Sequence, residues 1–408
     1  MYHNSEKSYQ YGDEELFAHA LDIIELSGLK GLTLRSLAQK AGISPSLLTY
    51  RFGKRQKLIL RMFEHARSLE EAFWSDCQRS FSPLTLVPEH IPSIVIAVIM
   101  KATGPGRQPH LARWICVNAA ARDPGQQTEM EAWAGVGTDF WRQLLGQAGA
   151  DPSLGPALAA IMTGTLRIGL VGDHEPKAIA WISDLVLRAT RRLLGLDGMG
   201  GDSPFRQAAE YGLSWEQSVQ QSSRTDTPER IIHAAARLVL QHGPDAVTHR
   251  DIANDSNISL SSLTHHFGSL EEILLGAFHQ IYEHAQRESR AGLADRMTIA
   301  QFTSSVLPEI LRNSQARGHE AVAMDEIILA TSRNEETRPI SLGLMATIGR
   351  TSTSILQSMQ RENEMDRLDG QILRFVLTGL TEQSSRLPDS ERDAWMLTNC
   401  GLFLEHYL

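Results

Sequence analysis

The chain repeats itself. Slid along its own length by 215 positions, without a gap from Leu16 to Leu60, it superposes Ala20 on Ala235, Gly28 on Gly243, Thr33 on Thr248 and Arg35 on Arg250. The match runs on through Ala38/Ala253, Ile43/Ile258, Ser44/Ser259, Ser46/Ser261, Leu48/Leu263, Thr49/Thr264, Phe52/Phe267, Gly53/Gly268 and Leu60/Leu275. A repeat of this length constrains the fold more than any local pattern, because whatever one copy forms the other must form as well. With 408 residues there is room for two or more domains with full cores.

Each copy divides into three short helices. In the first, Leu16, Ala20, Ile23, Ile24 and Ser27 lie on one helical face, and Gly28 ends that helix by allowing a left-handed residue. Thr33 caps a second helix carrying Leu34, Leu37, Ala38 and Ala41, which stops at Gly42. Ser44 caps the third, with Pro45 at the first helical position, where its missing N–H is harmless. In the second copy Gly243, Thr248 with Asp251 as capping-box partner, and Ser259 take these roles. Helix, tight turn, helix is the helix-turn-helix arrangement, whose second helix lies in the DNA major groove.

The remainder, including "ALAAIMTGTLRIGLV" and "GQILRFVLTGL", has apolar residues at helical spacing and no sustained alternation, so the expected class is all-α. The expected domains are a first helix-turn-helix head at 10 to 67, a helical effector and dimerisation domain at 68 to 195, a linker at 196 to 226, a second head at 227 to 285 and a second helical domain at 286 to 408. The linker is rich in Gly, Ser and Gln, with at most one short helix around Phe205 to Val219.

The third helix of the first copy, "SPSLLTYRF", buries Leu48 and Phe52 and turns Pro45, Ser46, Leu47, Thr49, Tyr50 and Arg51 outward. Short or planar hydrogen-bonding groups of this kind suit base edges and phosphates, and the free N–H groups behind Ser44 suit a phosphate. A single segment of this sort is more often a solvated polar face, but its duplication in register weighs against that reading. The two segments "SGLKGLTLRSLAQKAGISPSLLTYRFGKRQKL" and "HGPDAVTHRDIANDSNISLSSLTHHFGSLEEIL" resemble the N-terminal pattern of TetR-type transcriptional regulators, each over about 50 residues. The resemblance implies a larger all-α domain behind each head, with a small-molecule pocket and two last helices forming a four-helix dimer interface. Two such units in one chain would make a covalent pseudo-dimer, a monomer in solution, whose pairing helices are expected near 153 to 171, 175 to 194, 365 to 385 and 390 to 406. The DNA-facing residues it implies are Thr33, Arg35, Ser44, Pro45, Ser46, Leu47, Thr49, Tyr50, Arg51 and Arg55, with Thr248, Arg250, Ser259, Ser261, Ser262, Thr264, His265 and His266 in the second copy.

Departures from the family pattern are informative. The usual Tyr three residues before the closing Phe is Thr49 in one copy and Thr264 in the other, and the basic residue after that Phe is Arg55 in the first but Leu270 in the second. Residues 13 to 67 hold nine Lys/Arg against six Asp/Glu, whereas residues 228 to 282 hold three against six. The formal net charge of −9, which alone argues against nucleic acid, therefore conceals one basic head. Phosphate neutralisation supplies most non-specific affinity, so the first head is expected to bind more strongly. Histidine titrates between about pH 5 and 8, so the second is expected to bind better as the pH falls. The competing expectation is a degenerate second head that only packs.

Nothing indicates an enzyme, a cofactor or a metal: there is no GxSxG, HExxH or Walker loop, and "GPGRQPH" at 104 to 110 reads as a loop. His265 and His266 are adjacent on a helix, diverge by about 100° and cannot chelate together. Five of the seven Trp (74, 114, 133, 141, 181) lie in the first helical domain with Phe73, Phe140, Met130 and Met162. They admit a pocket for an apolar or aromatic effector with Arg113 or Arg122 for an acidic group, though ordinary core aromatics are the simpler reading, as are Met324, Met345, Met359 and Phe375 in the second. Three cysteines without a CxxC pair, a polar N-terminus and no apolar run near the roughly 18 residues of a membrane span lead to the expectation of a cytoplasmic protein.

Overall fold

The computed structural model describes residues 12–196, 226–289, 297–316, 318–359 and 365–408, which are helical with no strand among them. The expected linker lies outside the described residues except at its two ends, as does the short helix expected within it. In the first half, α1 (Asp13–Gly31), α2 (Leu34–Ala41) and α3 (Pro45–Phe52) build a small head. Behind it come α4 (Arg55–Phe81), α5 (Ile91–Thr103), α6 (Arg107–Arg122), α7 (Gln127–Trp133), α8 (Thr138–Gln147), α9 (Gly155–Gly172) and α10 (Pro176–Leu193). The second half repeats the plan with α11 (Asp226–His242), α12 (His249–Ser256), α13 (Leu260–His266) and α14 (Leu270–Ser289). It continues through a π turn at Phe302–Val306 into α15 (Leu307–Ala316), α16 (Gly318–Ser332), α17 (Arg338–Thr347), α18 (Arg350–Met359), α19 (Arg367–Ser384) and α20 (Asp389–Tyr407). The stretch "GPGRQPH" is a loop only as far as Gly106, and its remainder is the first turn of α6.

The two halves meet along α9, α10, α19 and α20, the four helices where pairing elements are expected. Small residues set how closely α9 and α19 approach. A Cβ on Gly164 would fall 2.2 Å from Phe375 Cγ, and one on Gly379 would fall 2.5 Å from Ala160 Cβ. The stretch Pro152–Gly172 is long and apolar enough to cross a membrane, contrary to the expectation of no such run, yet nearly all of it is buried inside the fold. It is apolar because α9 has neighbours all round: α5, α8, α10 and α19.

Charge is largely sorted across this junction, with Arg374 of α19 the exception, buried near Asp325 and Arg167. Arginines of the first half meet carboxylates of the second: Arg113 with Glu382 at 2.8 Å, Arg122 with Glu326 at 2.6 Å, Arg167 with Asp325 at 3.1 Å, and Arg188 with Asp366 at 2.5 Å and Asp369 at 3.1 Å. Arg192 lies 3.6 Å from Asp369 Oδ1, which also accepts from Tyr407 Oη at 2.7 Å. Two more exposed pairs run the other way, Asp173 with Arg338 and Glu131 with Arg392. Arg113 also holds Glu70 at 2.8 Å within its own half. Burial works against its charge, but Glu382 and Glu70 outweigh it and raise its pKa. Burial equally opposes ionisation of Glu70, but Arg113, His110 and the indole N–H groups of Trp74 and Trp133 hold its pKa below the usual carboxylate value.

Two outcomes follow from this packing. Gly379→Ala, which in an unhindered helix would gain about 1 kcal/mol, is expected here to cost about 1 to 3 kcal/mol in urea unfolding, because the methyl group meets Ala160. His279 on α14 is pushed down to about 4 by burial and by the nearby Arg350. It stays neutral in the folded chain while the unfolded chain takes up a proton near pH 6.5, so its contribution is complete above pH 6.5 and declines as the pH falls toward 4. His279→Phe should flatten the loss of stability between pH 7 and pH 5, as read by unfolding at both values.

Candidate nucleic-acid interface

The two heads are built by the same local devices. In the first, Thr33 Oγ1 accepts from the Ser36 N–H at 2.9 Å while Ser36 Oγ accepts from the Thr33 N–H at 2.9 Å, closing a capping box at the start of α2. Gly42 takes the left-handed conformation, φ 66°, that turns the chain from α2 to α3. Ser44 Oγ then accepts from the Leu47 N–H at 3.3 Å. Leu48 and Phe52 point inward, and Phe52 packs against Phe17 with ring centroids 5.8 Å apart. In the second, Thr248 and Asp251 form the capping box, Asn257 at φ 56° stands where the first copy has Gly42, and Ser259 Oγ accepts from the Ser262 N–H at 3.1 Å. Leu263 and Phe267 are buried there.

Most of the anticipated DNA-facing residues are exposed. Thr33, Arg35, Ser44, Pro45, Ser46, Thr49, Tyr50 and Arg51 are exposed, and Tyr50 most of all at 91%. Leu47 and Arg55 are half-buried. In the second head Thr248, Arg250, Ser259, Ser261, Thr264, His265 and His266 are exposed, Ser262 is half-buried, and Leu260 shows 46% of its surface. The rings of His265 and His266 stand edge-on, centroids 5.5 Å apart.

Several of these groups already have partners. Thr49 Oγ1 donates to Pro45 O at 3.0 Å and Thr264 Oγ1 to Leu260 O at 3.2 Å, so each hydroxyl is left with acceptor capacity outward. Arg51 Nε reaches Asp13 Oδ1 at 2.9 Å, tying α3 to the start of α1. Arg55, anticipated as a phosphate anchor, instead donates to Leu32 O at 2.6 Å and Leu29 O at 2.5 Å, and burial lowers its pKa. Its first task is to satisfy carbonyls at the end of α1. Arg230 does the same for α12 in the second head, donating to Ser256 O at 2.5 Å. Neither role is visible in a motif, because both partners are backbone atoms more than twenty positions away.

Two cations that motif reading passed over sit beside the turn. Lys54 is the N-cap of α4 without a side-chain cap bond, and Lys57 is exposed in the first turn, so that helix end presents free N–H groups and positive charge. The same place in the second head is closed. Glu272 Oε2 accepts from the Gly268 N–H at 2.8 Å, and Ser269 Oγ accepts from the Glu272 N–H at 3.2 Å. One α-helix start invites an anion and the other carries its own.

A cavity of about 20 Å³, room for one water, lies beside His110, Arg113, Trp114, Arg167 and Glu382. Arg113 and Arg122, considered above for an acidic ligand, are both held by carboxylates. The Trp side chains are core and junction groups: Trp74 and Trp133 donate to Glu70, Trp114 to Asp325 and Trp181 to Gln371. The three cysteines are free and buried.

Comparison with known proteins places the second head in context. Residues 231–277, from α11 into α14, match the family model described as bacterial regulatory proteins, tetR family. The chain is also similar to the HTH-type transcriptional regulator BetI of Agrobacterium fabrum (strain C58 / ATCC 33970), at 24% identity over 155 residues, 36% of this chain and 75% of that protein. Together with the all-helical fold, these similarities support a TetR-type DNA-binding regulator.

Proposed function

We propose that the chain is a transcriptional regulator made of two TetR-like units in tandem, paired with each other as an intramolecular pseudo-dimer that reads one asymmetric operator with two unlike heads. The observation that carries this reading is the sorting of charge at the junction. Two copies of the first half facing each other would leave Arg113, Arg167 and Arg188 without these carboxylates, and two copies of the second would leave Asp325, Asp366, Asp369 and Glu382 without these arginines. Unpaired buried charges are strongly unfavourable. Pairing within one chain is what this polarity favours.

Unlike heads need no palindrome. Identical recognition helices in a symmetric dimer read half-sites related by the twofold, about one helical turn apart. Here Pro45, Leu47, Tyr50 and Arg51 of α3 stand against Leu260, Ser262, His265 and His266 of α13. The first head supplies most of the salt-dependent affinity through Lys54, Lys57 and the open start of α4, and the second adds discrimination. The regulator is a cytoplasmic repressor released by a small apolar or aromatic effector, which would have to widen the present cavity. A second reading, in which the second head only packs, draws on Glu272 closing the start of α14.

Binding to duplexes selected from random sequence tests this. Tyr50→Ala should lower specific affinity by about 1 to 3 kcal/mol if it reads a base. Lys54→Ala and Lys57→Ala should weaken all duplexes alike and each flatten the salt slope by about one unit. Footprints with either half-site scrambled should lose more on the first side at high salt. Protection of one half-site only would favour the packing reading, and no selected sequence at all would reject DNA binding.

A further inference from the structure

The last residue of α6 crosses between the halves. Arg122 Nε donates to Glu326 Oε1 at 2.8 Å, Nη2 donates to Glu326 Oε2 at 2.6 Å and to Val239 O at 3.1 Å, and Nη1 donates to Leu240 O at 3.0 Å. Glu326 lies on α16, while Val239 and Leu240 belong to the last turn of α11, the first helix of the second head. Carbonyls in the last turn of a helix have no intrahelical donor and form the negative end of its dipole. A guanidinium from the opposite half therefore caps the helix on which the second head is built, supplementing the Gly243 N–H that donates to Val239 O at 2.8 Å. Gly243, at φ 76° just beyond that turn, leaves room for this contact: a Cβ there would lie 3.0 Å from Glu326 Oε2.

The first head is held differently. Its helix α1 is fastened to its own half, with Arg107 Nε on Glu25 Oε1 at 2.5 Å and Gln108 Nε2 on Asp22 Oδ1 at 2.7 Å, both from the first turn of α6. The second half abuts it at Gly28, where a Cβ would lie 2.2 Å from Asp245 Oδ2 and 2.5 Å from Arg333 Nη2, a pair that at 2.6 Å also ties the second head to its own half. One helix, α6, thus fastens the first head at its beginning and the second head at its end. Between those ends it carries Arg113 and Trp114, which reach Glu382 and Asp325 in the buried junction. Asp325 is the sequence neighbour of Glu326.

We propose that Arg122 is a positioning residue that fixes the second head relative to the first by a contact made across the two halves, so that the separation of the recognition helices α3 and α13 is set by helix α6. A change in the junction at Arg113 or Asp325 then reaches the second head through Arg122 and Glu326 and leaves the first head in place. The importance of this for regulation rests on the two-headed DNA reading, whereas the geometry does not.

Spin-label distances in the full chain test it without DNA. The native cysteines are buried, so labels are introduced at the exposed positions Gln39→Cys in the first head, Asn254→Cys in the second and Ser80→Cys on α4 as reference. Arg122→Ala should broaden the 80-to-254 and 39-to-254 distributions and leave the 80-to-39 distribution narrow. Arg122→Lys, which keeps the charge but loses the fork, should give an intermediate width, and Glu326→Gln should do the same. Unchanged 254 distances in Arg122→Ala, or equal broadening of all three pairs, would overturn the proposal. Should Arg122→Ala not fold, the Lys and Gln variants decide in the same way. With duplexes selected on the native protein, Arg122→Ala should accept half-sites moved by one base pair with less than half the native penalty. If no duplex binds the native chain, the DNA reading fails while the distances still judge the contact.

Discussion

The polarity of the junction is the constraint on which the rest of the molecule depends. Five arginines of the first half face five carboxylates of the second, most of them within 3.1 Å and largely buried. Such pairs contribute little net stability, since desolvation cancels much of the attraction, but breaking one leaves an uncompensated buried charge at a loss of about 3 to 5 kcal/mol. Their effect is on specificity. Apolar contact between α9 and α19 carries no such preference, whereas in the proposed pseudo-dimer the sorted charges would favour one half of the chain as partner of the other.

In the proposed pseudo-dimer nothing would force the two recognition helices to remain alike. The repeat shares caps and core and keeps the outward pairs Ser46/Ser261 and Thr49/Thr264, while Pro45, Leu47, Tyr50 and Arg51 give way to Leu260, Ser262, His265 and His266. Thr33 and Thr248, Ser44 and Ser259, Leu48 and Leu263, Phe52 and Phe267 keep their structural roles. The start of α4 carries Lys54, Arg55 and Lys57, and the start of α14 carries Ser269, Leu270 and Glu272 at the corresponding places. Local geometry is shared and electrostatics is not.

What the sequence made legible is what depends on near neighbours. Caps, the glycine turn after α2 and the inward Leu and Phe of α3 are set by residues within four positions, and the structure has them where periodicity and capping rules locate them. Asn257 doing the work of Gly42 was within reach of the same rules, as Asn tolerates the left-handed conformation. Beyond that range the partners of a side chain lie outside what sequence patterns show. Arg55 looked like a phosphate anchor because its partners, Leu29 O and Leu32 O, are backbone atoms that no pattern names. Arg113 and Arg122 looked available because Glu382 and Glu326 are more than two hundred positions away. The apolar run of α9 follows from its encirclement by packed helices of both halves, a tertiary fact.

The stoichiometry of the DNA complex tests the central claim most directly. Native mass spectrometry of the chain with a selected operator duplex should show a single 45.3 kDa chain per duplex, with both half-sites protected in the same complex. Two chains on a duplex carrying one pair of half-sites, each using the same head, would contradict it.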